Sequence, residues 1–188
     1  KKPGQRIEND LQTNGTLLNE EWASFLRKNN FLVGLSCDGP RELHNRHRVT
    51  KGGEPTHDKV IAAAKLLRTY GVPFNILCVV NRDNAKYPLD LYRYFVRDLE
   101  ARRVQFISCV EPKVFGTVAP QHWDAEMAPV VGSLNAKPGS EHSVVTDWSV
   151  DPDDWGRFLC KVWDDWYQRG HFGKVHVDLF ENVIAQSL

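Results

Sequence analysis

The chain has no CxxC pair, no Cys/His group at zinc spacing and no glycine-rich GxGxxG run. Its four cysteines, Cys37, Cys78, Cys109 and Cys160, are scattered singly. That argues against a disulfide scaffold or a metal site within this chain and reads as reduced, buried thiols of a cytosolic protein. An excess of one charge is also missing, because 24 Lys and Arg balance 24 Asp and Glu. A zero balance leaves no electrostatic footprint for nucleic acid or an anionic membrane. No apolar run approaches the roughly 20 residues of a membrane span, and no signal peptide opens the chain, so a cytoplasmic protein is expected. Lys1 begins a polar stretch without an initiating Met, which suggests a start inside a longer protein.

What is present is an alternation of short apolar runs with helix-like segments. The apolar runs are Ile7–Gln12, Phe31–Leu35, Phe74–Val80 and Val104–Val110, with a last short strand over Val175–Leu179. Helices are predicted over Asn19–Asn30, Thr56–Tyr70, Tyr87–Leu99 and Pro152–Gln168, with a further one after the last strand. Asn19 and Asp151 suit N-caps, and Gly71 suits a helix stop. Stripes such as Trp22, Phe25, Leu26 and Val60, Ala63, Ala64, Leu67 recur at helical spacing. Arg41–Pro55 reads as a polar loop, and 111–150 as a long irregular insertion rich in Pro, Gly and Ser. Strands alternating with helices predict an α/β fold with a parallel sheet, a piece of a (β/α) barrel; a doubly wound open sheet is the alternative.

Both architectures place chemistry at the C-terminal ends of the strands. The polar residues there are Gln12 and Asn14, Ser36 and Asp38, Asn81, and Cys109–Glu111. Asn14 and Asp38, each before Gly, read most simply as turn formers. Gln12 carries a long amide that needs a partner if buried. Arg48 is either part of a solvated basic loop or a guanidinium gripping a carboxylate or phosphate. His44 and His47 stand three apart but lack a third metal ligand. Glu181 reads as the start of the last helix, where an acid is favoured by the dipole; Asp178, within VHVDLF, reads as a strand residue facing solvent.

The segments LQTNGTLLNEEW, FLVGLSCDGPRELHNRHR, GGEPTHDKV, FNILCVVNRDN, QFISCVEP and WGRFLCKVWDDW resemble anaerobic sulfatase-maturating enzymes of the radical S-adenosylmethionine (SAM) superfamily. The resemblance runs through most of Leu11–Phe180 and is weakest across Phe115–Thr146. It implies a partial (β/α) barrel of which this chain supplies the C-terminal two-thirds, lacking the first two βα units. The CxxxCxxC that holds the [4Fe–4S] cluster, the GGEP that grips the methionine amino group and a C-terminal cysteine-rich region would then lie outside it. The GGEP at 52–55 falls in a loop before a helix rather than after the second barrel strand, and reads as a chance match. The implied reaction is reductive cleavage of S-adenosylmethionine to methionine and a 5′-deoxyadenosyl radical. That radical takes a β-hydrogen from a Cys or Ser of a sulfatase polypeptide, and oxidation yields formylglycine. A flavodoxin or ferredoxin would donate electrons. Carried over by position, Gln12 faces the ligand cavity. Ser36 and Arg48 bind the ribose and carboxylate region, and Val110 meets the adenine end through its backbone. Glu181, where the family has Asp, accepts the substrate proton. The resemblance also implies that the isolated chain is inactive. Two other readings remain open at this point: another radical SAM peptide modifier, and a non-catalytic (β/α) binding module. A CxxxCxxC upstream would exclude the module, and the cysteine spacing of the missing C-terminal part would separate the two enzymes.

Overall fold

A computed structural model describes residues 8–113, 129–130 and 132–187. Five strands form one sheet: β1 (Asn9–Thr13), β2 (Phe31–Ser36), β3 (Phe74–Val80), β4 (Arg103–Ser108) and β5 (His176–Val177). Their order is β1-β2-β3-β4-β5 and every pairing is parallel. Consecutive parallel neighbours joined by crossovers of one hand put every connecting helix on the same face. A doubly wound sheet reverses its strand order part-way, so this order settles the choice for the partial barrel.

The helices are α1 (Glu20–Lys28), α2 (Arg41–His47), α3 (His57–Thr69), α4 (Pro88–Arg93), α5 (Pro152–Gln168) and α6 (Asp178–Ser187). Val33, Leu35, Ile76, Cys78, Val80, Val104 and Phe106 alternate along the strands into one buried core with Val60, Ala63, Ala64 and Leu67 of α3. The opposite face carries Gln12, Gly34, Ser36, Leu77 and Ile107, as the period of two requires. A Cβ placed on Gly34 would meet Leu77 Cδ1 at 2.8 Å and Gln12 Cγ at 3.3 Å, so these two side chains close over the glycine on that inner face.

Asn19 caps α1 by accepting from Trp22 N–H at 2.9 Å, and Asp151 caps α5 by accepting from Asp153 N–H at 2.8 Å. Gly15 turns the chain out of β1 at φ +72°, and a Cβ there would lie 2.7 Å from Leu35 Cδ1 and 2.9 Å from Ala63 Cβ. Gly15→Ala therefore meets both a left-handed backbone and an overpacked core. It is expected to lower unfolding free energy by about 2–4 kcal/mol, read from denaturant midpoints.

Several expectations are corrected. Arg41–Pro55 is not all loop, because α2 fills its first half with Leu43 and the buried His44 turned inward. With Asn45 also half-buried, three consecutive inward residues, two of them polar, give no readable apolar period, which is why the sequence hides this helix. Trp22 and Phe25 are about half exposed, and only Leu26 of that stripe is buried. The segment after α4 widens into a π-turn over Tyr94–Asp98, closed by Leu99 N–H on the Tyr94 carbonyl at 3.2 Å. The last strand is only His176–Val177, and Asp178 begins α6, so Glu181 lies in the first turn rather than at its start. Cys37 and Cys78 are buried as expected, but Cys109 is half-buried and Cys160 is exposed. Gly52–Pro55 forms an exposed turn into α3, with a bridge between Val49 and Pro55. Ile7 of the first predicted run, and 114–128 and 131 of the irregular stretch, lie outside the described residues. The rest of that stretch is irregular apart from a 3-10 turn at Leu134–Ala136 and a bridge between Pro112 and Val145.

Candidate functional site

The C-terminal ends of β2, β3 and β4 share one rim. Between them lies a cavity of about 340 Å³ lined by Asp38, His47, Arg48, Val79, Asn81, Cys109 and Trp148. The chain leaves β2 through Ser36-Cys37-Asp38, and Asp38 is 4% exposed. Its carboxylate accepts from Arg48 Nε at 2.5 Å, Arg48 Nη2 at 3.2 Å and Val79 N–H of β3 at 2.9 Å. Burial opposes the charge on Arg48, but the Asp38 hydrogen bonds and charge outweigh it and hold the guanidinium above its ordinary pKa. Arg48 is thus a fixed cation at the cavity wall.

The turn after β3 is built by two buried asparagines. Asn81 Oδ1 accepts from the N–H groups of Asp83 and Asn84, and Asn84 Oδ1 accepts from Asn81 N–H at 2.8 Å. Asn84 Nδ2 donates to the carbonyls of Val79 and Asp38, locking the β2 and β3 exits together. On the outer wall His47 and Arg46 both reach Asp83, at 2.9 and 3.0 Å. Burial works against the charge on Asp83, yet these two partners hold its carboxyl below the usual range.

The third wall comes from the stretch that sequence periodicity could not resolve. Val150 N–H donates to the Cys109 carbonyl at 2.8 Å, and Thr146 N–H to the Glu111 carbonyl at 2.8 Å. The Trp148 indole N–H donates to Glu111 Oε2 at 2.6 Å. These bonds fold the end of the insertion back over β4 and bring Trp148 beside Cys109. Burial, followed by the nearby Glu111 and Asp38 carboxylates, raises the Cys109 thiol pKa, so it lines the wall as a neutral thiol.

His44 is fully buried and its ring is neutral. Nδ1 accepts from Asp38 N–H at 3.2 Å, so Nε2 carries the hydrogen and faces Thr56 Oγ1 at 3.1 Å. Burial first, then the positive neighbours Arg48 and His57, lower its pKa from 6.5 to about 4 against the pull of Asp38. A His whose folded pKa is depressed leaves the unfolded chain binding more protons between those values, so stability falls as pH drops from about 6.5 to about 4. The loss from this ring alone approaches about 3 kcal/mol. Unfolding midpoints across that window check this, and His44→Asn, which keeps an acceptor near Nδ1 but cannot titrate, should flatten part of the slope.

The structure brings Arg48 to this cavity. Ser36 lies on the inner face one step below it, half-buried, with no described hydrogen bond to its hydroxyl. Val110 follows β4 at the rim, 63% exposed, with neither its N–H nor its carbonyl bonded among the described residues. Gln12 is exposed on the inner face of the edge strand β1, its side chain over Gly34. Glu181 does not line the cavity. β5 pairs with β4 only at Arg103 and Val104, the entry end of that strand, and the Glu181 carboxylate pairs with His176 Nδ1. The sequence places Asp38 among the strand-end candidates and weighs His44 only as half of a metal pair, and gives no site reading to Asn84 or Trp148. Asp38 carried a signal, a carboxylate closing an apolar strand, but Asp-Gly-Pro reads more simply as a turn. Nothing in the sequence places Trp148, because its neighbours along the chain show no period.

These described residues do not fit an iron–sulfur cluster. No group of three His, Cys, Asp or Glu among them could hold a metal. Burial pushes the Cys37 thiol up to about 12 and Cys78 well above its ordinary value, away from the thiolate a cluster needs. At the rim, the Arg48 cation and the Trp148 ring line one cavity, while the Ser36 hydroxyl and the Val110 backbone lie at neighbouring strand exits outside its lining.

Residues 2–95 match the family model of the Radical SAM superfamily, and the chain belongs to that superfamily. It is 38% identical over 182 residues to the serine-type anaerobic sulfatase-maturating enzyme of Bacteroides thetaiotaomicron, covering 97% of this chain and 41% of that protein. It is 39% identical over 184 residues to the cysteine-type anaerobic sulfatase-maturating enzyme of Clostridium perfringens, covering 97% and 42%. Among solved structures, native anSMEcpe with bound AdoMet superposes with a TM-score of 0.79 at 36% identity, over 100% of this chain and 44% of that one. The chain therefore spans about two-fifths of the length of the curated relatives it matches.

Proposed function

We propose that this chain is the C-terminal two-thirds of the partial barrel of a sulfatase-maturating radical SAM enzyme, and that its β2–β4 rim holds the outer end of S-adenosylmethionine. The observation that carries the reading is the fixed Arg48 cation at the rim cavity, in a chain of this superfamily. Arg48 meets the ligand carboxylate, Ser36 the ribose and carboxylate region, and the Val110 backbone the adenine. Gln12 faces the same inner space from β1. S-adenosylmethionine, reduced by a [4Fe–4S] cluster, supplies a 5′-deoxyadenosyl radical for hydrogen abstraction. The residues of this chain orient the ligand, exclude water and accept a proton at Glu181. Cluster ligands and a C-terminal cysteine-rich region belong to other parts of the full-length protein. That protein works in the cytoplasm with a flavodoxin or ferredoxin as electron donor. Its substrate is a sulfatase polypeptide, and its product a formylglycine made from Cys or Ser.

The test uses the full-length protein, reconstituted anaerobically and given S-adenosylmethionine, a reductant and a sulfatase peptide. Formylglycine by mass spectrometry, with 5′-deoxyadenosine and methionine, is expected; ligand cleavage that never oxidises Cys or Ser would move the protein to another peptide-modifying reaction. The isolated 188-residue chain, put through the same reconstitution, should retain no stoichiometric iron and sulfide and should not cleave S-adenosylmethionine. A stoichiometric cluster on it would contradict the placement of the ligands.

A further inference from the structure

A closed ring of hydrogen bonds leaves Asp38 and returns to it through Arg48. Asp38 N–H donates to His44 Nδ1 at 3.2 Å, and His44 Nε2 contacts Thr56 Oγ1 at 3.1 Å. The Thr56 hydroxyl donates to the Arg48 carbonyl at 2.7 Å, and the Arg48 guanidinium closes the ring on the Asp38 carboxylate. The ring joins the exit of β2, α2 and the entry to α3. Val79 N–H and Asn84 Nδ2 tie Asp38 to β3 as well, through its carboxylate and its carbonyl. Asp38, His44 and Thr56 are all buried; of the ring, Asp38 and Arg48 line the cavity, and Arg48 is the more exposed of the two. Because His44 is neutral with one fixed tautomer, no member can turn round without breaking the ring.

Arg48 commits Nε and one side of Nη2 to Asp38, which leaves Nη1 without a described partner. An unheld arginine samples many rotamers, and ordering it on binding weakens affinity. A buried ion pair is by itself weak evidence of a stability role, whereas this one sets the plane of a side chain that faces an open cavity. We infer that Asp38 is a positioning residue for Arg48, and that the ring presents the free guanidinium edge as a preformed fork for the carboxylate of S-adenosylmethionine. The inference rests on the reading of the rim as the S-adenosylmethionine site. It assigns Asp38, Thr56 and His44 to ligand recognition although they act only through Arg48.

The experiment is anaerobic calorimetry on the reconstituted full-length protein with two ligands, S-adenosylmethionine and its decarboxylated analogue. Asp38→Asn turns an amide N–H toward the guanidinium and should weaken S-adenosylmethionine about tenfold, while changing the decarboxylated ligand by less than about twofold. Thr56→Val opens the far side of the ring and should act in the same direction by about threefold, with Thr56→Ser restoring affinity. Asp38→Asn added to Arg48→Ala should cost nothing further, since both act at one contact. Equal loss for both ligands would make Asp38 merely structural and overturn the inference. So would an unchanged affinity in Asp38→Asn when Arg48→Ala is weakened. If Arg48→Ala itself has no effect, the assignment of the rim fails first. Should Asp38→Asn not fold, the Thr56 pair carries the same two-ligand contrast and decides.

Discussion

Glu181→Gln in the full-length protein is expected to abolish formylglycine formation while 5′-deoxyadenosine is still produced. Oxidising a thiol or alcohol carbon to an aldehyde removes a proton as well as a hydrogen atom, and a carboxylate beside the substrate is the natural acceptor. Glu181 is half-buried in the first turn of α6, outside the rim cavity, so in this proposal it meets the substrate rather than S-adenosylmethionine. Its contact with His176 Nδ1 fixes the carboxylate against the end of β5. Asp178 is the competitor. Burial first, and the neighbouring Glu181 charge, push its carboxyl above the ordinary range, which strengthens it as a base and makes Asp178→Asn the necessary control. Loss of a positioned base is worth roughly 10²–10⁴ in rate, so peptide turnover should fall by at least about 100-fold. Glu181→Asp restores the residue usual in the resembling family and should keep activity. Normal turnover in Glu181→Gln, with loss in Asp178→Asn, would transfer the role to Asp178.

Arg48→Ala should weaken S-adenosylmethionine binding by about 1.5–3 kcal/mol, the size of a charge-assisted hydrogen bond at a partly dry site. The loss has two sources. The ligand carboxylate loses its fork, and the Asp38 carboxylate is left buried with only the Val79 amide bonded to it. Leaving a buried charge without its partner is strongly destabilising, so the variant should also melt earlier than the parent. Arg48→Lys separates these effects. An ammonium keeps the charge near Asp38 but cannot face two carboxylates with a rigid planar fork, so stability should recover more than affinity. Unchanged affinity by calorimetry in Arg48→Ala would return Arg48 to a purely internal ion pair.

The parts of the fold that were legible are those with long apolar periods. β3 is buried in its core-facing positions and has the predicted bounds, and α5 runs from Pro152 to Gln168 behind its Asp151 cap as the sequence implies. α2 gives no apolar period because, of its seven residues, Leu43, His44 and Asn45 turn inward and two of these three are polar. The last strand looked longer than it is. Its alternation extends through Leu179, but tertiary packing of Phe180 against Trp163 and Trp166 favours a helix from Asp178 onward. At the site, Arg48 and Ser36 were nameable through resemblance, and strand ends narrowed the search. Asp38 was seen and read as a turn, because a sequence cannot show that its carboxylate meets a guanidinium ten residues on and a backbone amide forty-one residues on. Trp148 reaches the rim through backbone bonds from Thr146 and Val150 to β4's exit, its own indole bond to Glu111 and the Arg82 N–H on its carbonyl, none of which has a local pattern.

Hydrogen exchange of the full-length, reconstituted protein with and without S-adenosylmethionine tests the rim assignment most directly. Ligand should slow exchange at the amides of 36–38, 48 and 109–111, where the cavity walls meet. The open cavities at the other end of the sheet, lined by Phe74, Asn75, Ala101, Arg102, Lys174 and His176, should not respond. Protection confined to those lower cavities, or none at the rim under saturating ligand, would contradict the account.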